Sequence, residues 1–437
     1  MPGADCAPRT PQSMQLHRLR HALWALLLAG IAACGGGSGA SADGATSAGL
    51  SAKDISLLMP IPPPGLERLL VGLGDGAILM PVGLFDAVVD HGAQAPGLDV
   101  DAYRQVIGSY PSWRIVSARF DPCFISDVKT QLPCLPFMRL VAQPVLGASG
   151  KVTIGNAAFH LIYQLGDPVA VAKALDAIRA MSRTGSDRLG VHPGLSAEFA
   201  TGGGPVTNAV ADLIRRNCMS SALVSINLAA SVDVNETTET FFAAFFPNKE
   251  TKKFAPISPQ AVGAPHQTIT FTPGATLIAP ASLVLDAFSA NEVGAVSVGG
   301  QLSADALSNM LGRGDRVDNP RLHTLGSTDC VSCHVSTQVQ VRAKAAFTAS
   351  GSTRMTQDLF TMLGNQPARD ADAKDAMIRS FRNFGWMTDE AGVNRPSIAQ
   401  RTANETALKL PLVQELLLER TSVVGQRHWQ VHAAGKE

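Results

Sequence analysis

The sequence predicts an α+β N-terminal region over residues 54–318, followed by an all-α module over residues 319–437. Two observations carry this prediction. Between about 54 and 310, strand-like and helix-like stretches alternate along the chain. From about Asn319 onward the alternating strand signal fades and apolar residues recur at helical spacing.

In chain order, the strand formers gather in Ser112 to Phe120, Leu223 to Leu228 and Thr238 to Phe246. His266 to Thr272 alternates polar and apolar residues, as a half-buried strand does, and Pro273-Gly274 ends it. Two helices are well marked between them. Asp167-Pro168 supplies a cap and a first-turn proline for Val169 to Met181, and Gly204-Pro205 opens a second helix. There Val206, Val210, Leu213 and Ile214 share a face. In the C-terminal part, Ala373, Ala376, Met377, Ser380, Phe381 and Phe384 recur at helical spacing, and Pro411 is read as opening a last helix through Leu418.

With 437 residues, the chain has room for two or three domains. Hydrophobic residues make up 46% and charged residues 16%, the balance of a folded protein rather than a disordered one. The formal net charge is zero, so no nucleic-acid partner is expected. No internal repeat, phosphate-binding loop or Gly-x-Ser-x-Gly elbow is found, and no catalytic residue is assigned. His91, His160, His192 and His266 lie scattered without ligand spacing and are read as structural.

Residues 1–33 read as an export signal. Arg18, Arg20 and flanking histidines precede an apolar run from Ala22 to Ala33 that is too short to span a bilayer, and Met14 is the expected start. The run ends in Ile31-Ala32-Ala33-Cys34, which resembles the lipobox of bacterial lipoproteins. That resemblance implies lipidation of Cys34, anchoring to a membrane, and, with Gly35 next, sorting to the outer membrane facing the periplasm. The Gly/Ser/Ala-rich residues 34–53 then form a tether. Removal of the signal takes away Arg9, Arg18, Arg20 and Asp5 and leaves a mildly acidic protein.

Export permits disulfides. Cys123 follows Asp121-Pro122, and Cys134 lies between Pro133 and Pro136, so a loop with turn residues at both ends separates them. We expect these two to be bridged, which closes a loop worth roughly 3 kcal/mol in the chain-entropy picture. Cys218, at the end of a helix, is read as a buried, unreactive thiol.

The sharp motif is Cys330-Val331-Ser332-Cys333-His334. Residues three and four apart share a helix face, so two thiols reach the vinyl groups of a porphyrin while an imidazole stands beneath its metal. Ser327 is read as the helix cap, with Val335, Val339 and Phe347 as pocket walls. Three other readings of the cysteine pair exist. A plain disulfide is one; a thioredoxin-like pair should follow a strand in a βαβ setting; a zinc site wants a second ligand pair, for which His323 is the nearby candidate.

The motif resembles the attachment site of c-type cytochromes, and the resemblance covers about a quarter of the chain. It implies one covalent haem c on Cys330 and Cys333, His334 as an iron ligand, and a class I cytochrome c-like domain with an extension over 319–437. In that class a methionine ahead of the last helix is the sixth ligand. Met387 fits the position best, after Phe384-Gly385-Trp386 and before Gly392 and Pro396. Met355, Met362, His323, His428, His432 or no protein ligand remain open. Arg401 and Asn404 are candidates for the haem propionates or for helix caps. The resemblance implies an electron carrier with a redox protein partner. A haem-dependent oxidoreductase or peroxidase, or a redox or ligand sensor, is the alternative.

Overall fold

Ten antiparallel strands in one sheet dominate the described residues of the computed structural model. It describes residues 49–75, 78–124, 135–148, 150–182, 189–248, 251, 253–258, 261–323, 327–350, 384–388 and 391–418. The body opens with α1 (Ala52–Ile55) and β1 (Ser56–Leu58). Leu50, Ser51 and Ala52 are already buried, inside the stretch read as tether. Helices α2 (Val82–Gly92) and α3 (Val100–Ile107) follow, then β2 (Trp113–Phe124), β3 (Leu135–Ala148), β4 (Lys151–Ile154) and β5 (Ala157–Gln164).

Helices α4 (Pro168–Ser182), α5 (Pro193–Phe199) and α6 (Pro205–Asn217) lead into β6 (Leu223–Val234), β7 (Thr237–Pro247), β8 (Phe254–Ile257), β9 (His266–Thr272) and β10 (Ala275–Ala279). Then come α7 (Ala290–Ser297), α8 (Ala304–Val317) and α9 (Cys330–Ala349), the short strands β11 (Phe384–Thr388) and β12 (Asn394–Ile398), and α10 (Gln400–Leu418).

The sheet runs β1-β2-β3-β5-β6-β7-β9-β10, with β4 on β3 and β8 on β7. Residues directly opposite in antiparallel register share a face. One face carries Leu140, Phe159, Leu161, Ile226, Leu228, Phe241 and Phe245, and α2 and α3 cover it. The other carries Ser117, Arg119, Arg139, Val141, His160, Phe242 and Gln267. Elements from the C-terminal part, α9, α10 and β11, lie over that second face. A separate apolar cluster joins Phe242 and Ile269 of the sheet to α7, α8 and α9.

The expected architecture, an α+β region followed by an all-α cytochrome c-like domain, is therefore corrected. The chain is built on one large antiparallel sheet, and the C-terminal part is not all-α. β11 and β12 form a hairpin there, with Trp386 opposite Pro396 and Met387 opposite Arg395.

The physical reason is docking. The Gln143 amide donates to the Trp386 carbonyl and accepts from its N–H, both at 2.8 Å, while Ser117 donates to the Phe384 carbonyl. Gly385 lets the hairpin approach, because a Cβ there would stand 2.6 Å from the Gln143 side chain. None of these partners is near in sequence, so local pattern gave no sign of them. Among the described residues no helix is long and apolar enough to cross a membrane.

Candidate functional site

The Cys330 to His334 segment forms the first turns of α9, held by two bonds from its backbone and one to its Ser332 hydroxyl. Asp329, not Ser327, is the cap, accepting the Ser332 N–H at 2.9 Å. Gln267 of β9 accepts the Val331 N–H at 2.9 Å, and the Ser332 hydroxyl accepts the Phe288 N–H at 2.9 Å. Val331, Val335 and Val339 sit in the apolar cluster under the helix, with Ala343 and Phe347 further along. The start of α9 is thus a fixed platform, bonded through the Val331 N–H to β9, which lies between β7 and β10.

From that platform Cys330 and Cys333 project one helical turn apart. Cys330 is half-buried and Cys333 buried. Burial pushes the Cys330 thiol up to about 12 and the Cys333 thiol up to about 11. His334, half-buried, turns toward the second face of the sheet. Its ring centre lies 4.8 Å from that of Phe242 and 5.9 Å from that of His160, with planes at 44° and 87°. Neither Phe242 nor His160 was assigned to a site from sequence. Strand register across β5, β6 and β7 brings them together, and no motif spacing records it.

Ahead of α9, His323 and Ser327 are tied down by hydrogen bonds. One ring nitrogen of His323 bonds Asp286 at 2.8 Å and the other the Ser327 carbonyl at 3.0 Å, so this ring is engaged at both ends. Arg401 bonds the Val317 and His323 carbonyls and, at 3.0 Å, Glu405. Asn404 donates to the Asp318 carbonyl at 2.9 Å and accepts from Gln400 at 3.0 Å. Both side chains therefore brace α10 against the α8 end. They do so through bonds that a carboxylate ligand would have to replace.

Met387 is buried in β11. Cys123 is disulfide-bonded; Cys134, its expected partner, lies outside the described residues, as do Cys34, Met355, Met362, His428 and His432. Cys218 is a free, fully buried thiol, and burial drives its pKa far up. Among the described residues no three His, Cys, Asp or Glu side chains converge as ligands of one metal ion would. Comparison with protein-family models, with curated proteins and with solved structures finds no match to this chain.

Proposed function

We propose that this protein is an electron carrier of the cell envelope, with one haem c attached to Cys330 and Cys333 and ligated by His334. The observation that carries the reading is the Cys-x-x-Cys-His segment on the capped, anchored start of α9, its imidazole turned toward the sheet. The donor set fits the group. Two thiols one turn apart suit two vinyl positions, and a single imidazole suits an iron already held by four porphyrin nitrogens. A zinc ion would want the three side chains to converge, which is a different arrangement.

Cys330 and Cys333 would hold the group through thioethers, each thiol hydrogen going to the neighbouring vinyl carbon, so attachment would need no external oxidant. Bound haem supplies a one-electron iron couple. The chain's own part would be to fix His334 through α9, whose imidazole rests against Phe242, and to present the group to a redox protein partner. The lipid expected on Cys34 holds the carrier at the outer membrane on the periplasmic side, through the N-terminal tether.

The test is full-length protein exported in a host competent in c-type haem maturation. Wild type is expected to stain for covalent haem on a denaturing gel, and the double substitution Cys330→Ala, Cys333→Ala to lose the stain completely. Staining that persists in the double variant, or a colourless wild type, overturns the reading.

A further inference from the structure

Asp318, at the C-terminal end of α8, is buried beside the Cys330 to His334 turn and has no cation of its own. We propose that Asp318 is the redox-linked proton site of the carrier, taking up one proton when the haem attached at Cys333 gains an electron and releasing it when that electron leaves. The proposal rests on the haem reading above and adds to it the regulation of the same site by pH.

Placement is the first argument. Asp318 is 3% exposed and follows the last residue of α8. Gln340 of α9 donates to its Oδ2 at 2.6 Å and to the Ser336 hydroxyl at 3.1 Å, so the carboxyl lies against the side of α9 within two turns of Cys333. Asn404 of α10 donates to the Asp318 carbonyl at 2.9 Å and fixes its backbone from another side. The charge of Asp318 adds to the upward push on the Cys333 thiol.

The surrounding charges are the second argument. Asp315 of α8, Arg401 and Glu405 of α10, and Asp329 ahead of α9 are the charged groups that act at this junction, with Cys333 itself on α9. Glu405 is equally enclosed but is held ionised by Arg119, Arg139 and Arg401. Asp318 has no such partner. Arg401 directs its nitrogens at Glu405 and at the Val317 and His323 carbonyls, and among the described residues no ion pair reaches Asp318.

Its Oδ1 is buried without a hydrogen-bond partner. A carboxylate left in that condition is costly, and the group keeps its proton instead. Burial accordingly raises Asp318 to about 7, against its side-chain bonds and the charge of Arg401. The Cys333 thiol, pushed up to about 11, does not compete in that range, and as a thioether it does not titrate.

The direction follows from Coulomb's law. An electron gained close to Asp318 repels its carboxylate, and burial leaves the repulsion poorly screened. The reduced chain therefore binds the proton more tightly. One electron arrives from the redox protein partner, one proton arrives from water at Asp318, and the total charge of the site stays the same. By linkage, the potential falls as pH rises through the range in which Asp318 titrates.

The test uses the full chain with haem attached, its midpoint potential measured from pH 5 to pH 9. Wild type is expected to fall in potential through the middle of that range. Asp318→Asn is expected to keep its covalent haem stain and lose most of the dependence. Asp318→Glu, which retains a carboxyl should the asparagine variant not fold, is expected to keep it. Infrared difference spectra recorded on reduction at pH 7 are expected to gain a protonated-carboxyl band in wild type that Asp318→Asn lacks.

A stained wild type whose potential is flat with pH overturns the assignment and leaves the haem reading standing. So does an asparagine variant that keeps the wild-type dependence or the infrared band. A wild type without covalent haem overturns both.

Discussion

Asp318 shows how a single carboxyl is set by its surroundings. It caps the end of α8, is 3% exposed, and accepts a 2.6 Å bond from Gln340 of α9. Burial raises it to about 7, and the Ser336 and Gln340 bonds and the charge of Arg401 only partly oppose this. The folded chain therefore holds a proton that the unfolded chain has lost above about pH 4. Stability from this residue is complete below that point and falls as pH rises toward 7, by an amount on the order of a few kcal/mol. We predict that Asp318→Asn removes this slope. In urea titrations at pH 5 and pH 8, the variant should gain on wild type at the higher pH. Equal differences at both values would show that Asp318 does not titrate in that window.

Among the elements, α10 is the one whose sequence conceals its extent. The residue pattern suggests a start at Pro411, but the helix begins at Gln400 and runs through the proline. Gln400 to Ala407 are buried on every side, so no apolar stripe marks the first two turns. Their partners are polar too: on the sheet, Arg119 and Arg139 each form buried ion pairs with Asp121 and with Glu405. Those same residues break the apolar alternation of β2 and β3.

Three guanidinium groups hold the Glu405 carboxyl far below the usual range, against the opposing effect of burial. Removing a buried partner leaves charge uncompensated, which costs about 3–5 kcal/mol. Glu405→Ala should therefore lose roughly that much in denaturant unfolding at pH 7, and a loss under about 1 kcal/mol would mean the network does not hold α10. Because this carboxyl is ionised when folded well below its unfolded pKa, its contribution is present above about pH 4.5 and fades only as acid titrates it.

What was legible follows from the same physics. β9 was readable residue for residue, since a half-buried strand writes its alternation into the sequence, and α4 and α6 were readable from proline at their first turns. The Cys330 to His334 motif was readable because its residues are adjacent in the chain and share the first turns of one helix. His160, Phe242, the β11–β12 hairpin and the start of α10 were not. Each is defined by contacts between distant segments, and at those contacts polar residues take the place of the apolar periodicity on which sequence reading depends.

At the scale of the whole molecule, a ten-stranded sheet is covered on one face by N-terminal helices and on the other by C-terminal elements that carry the proposed haem site. The envelope location proposed for this protein rests on the stretch ending at Cys34, which resembles a lipobox. Lipid attachment contributes about 0.8 kcal/mol per buried methylene, so two or more acyl chains make release negligible. Charge offers no substitute, because the chain is neutral overall and mildly acidic without residues 1–33, and anionic lipids attract clustered basic residues.

The expected behaviour follows directly. Wild type should sediment with membranes, resist extraction by high salt, and dissolve in detergent. Cys34→Ala should move almost entirely to the soluble periplasmic fraction with its haem stain and spectrum unchanged, because the thiol proposed to take lipid is not one of those proposed to take haem. Unchanged fractionation of the alanine variant would remove the lipid anchor from the account. A variant that becomes soluble and also loses its haem would show that anchoring and haem attachment are coupled, contrary to the independence argued here.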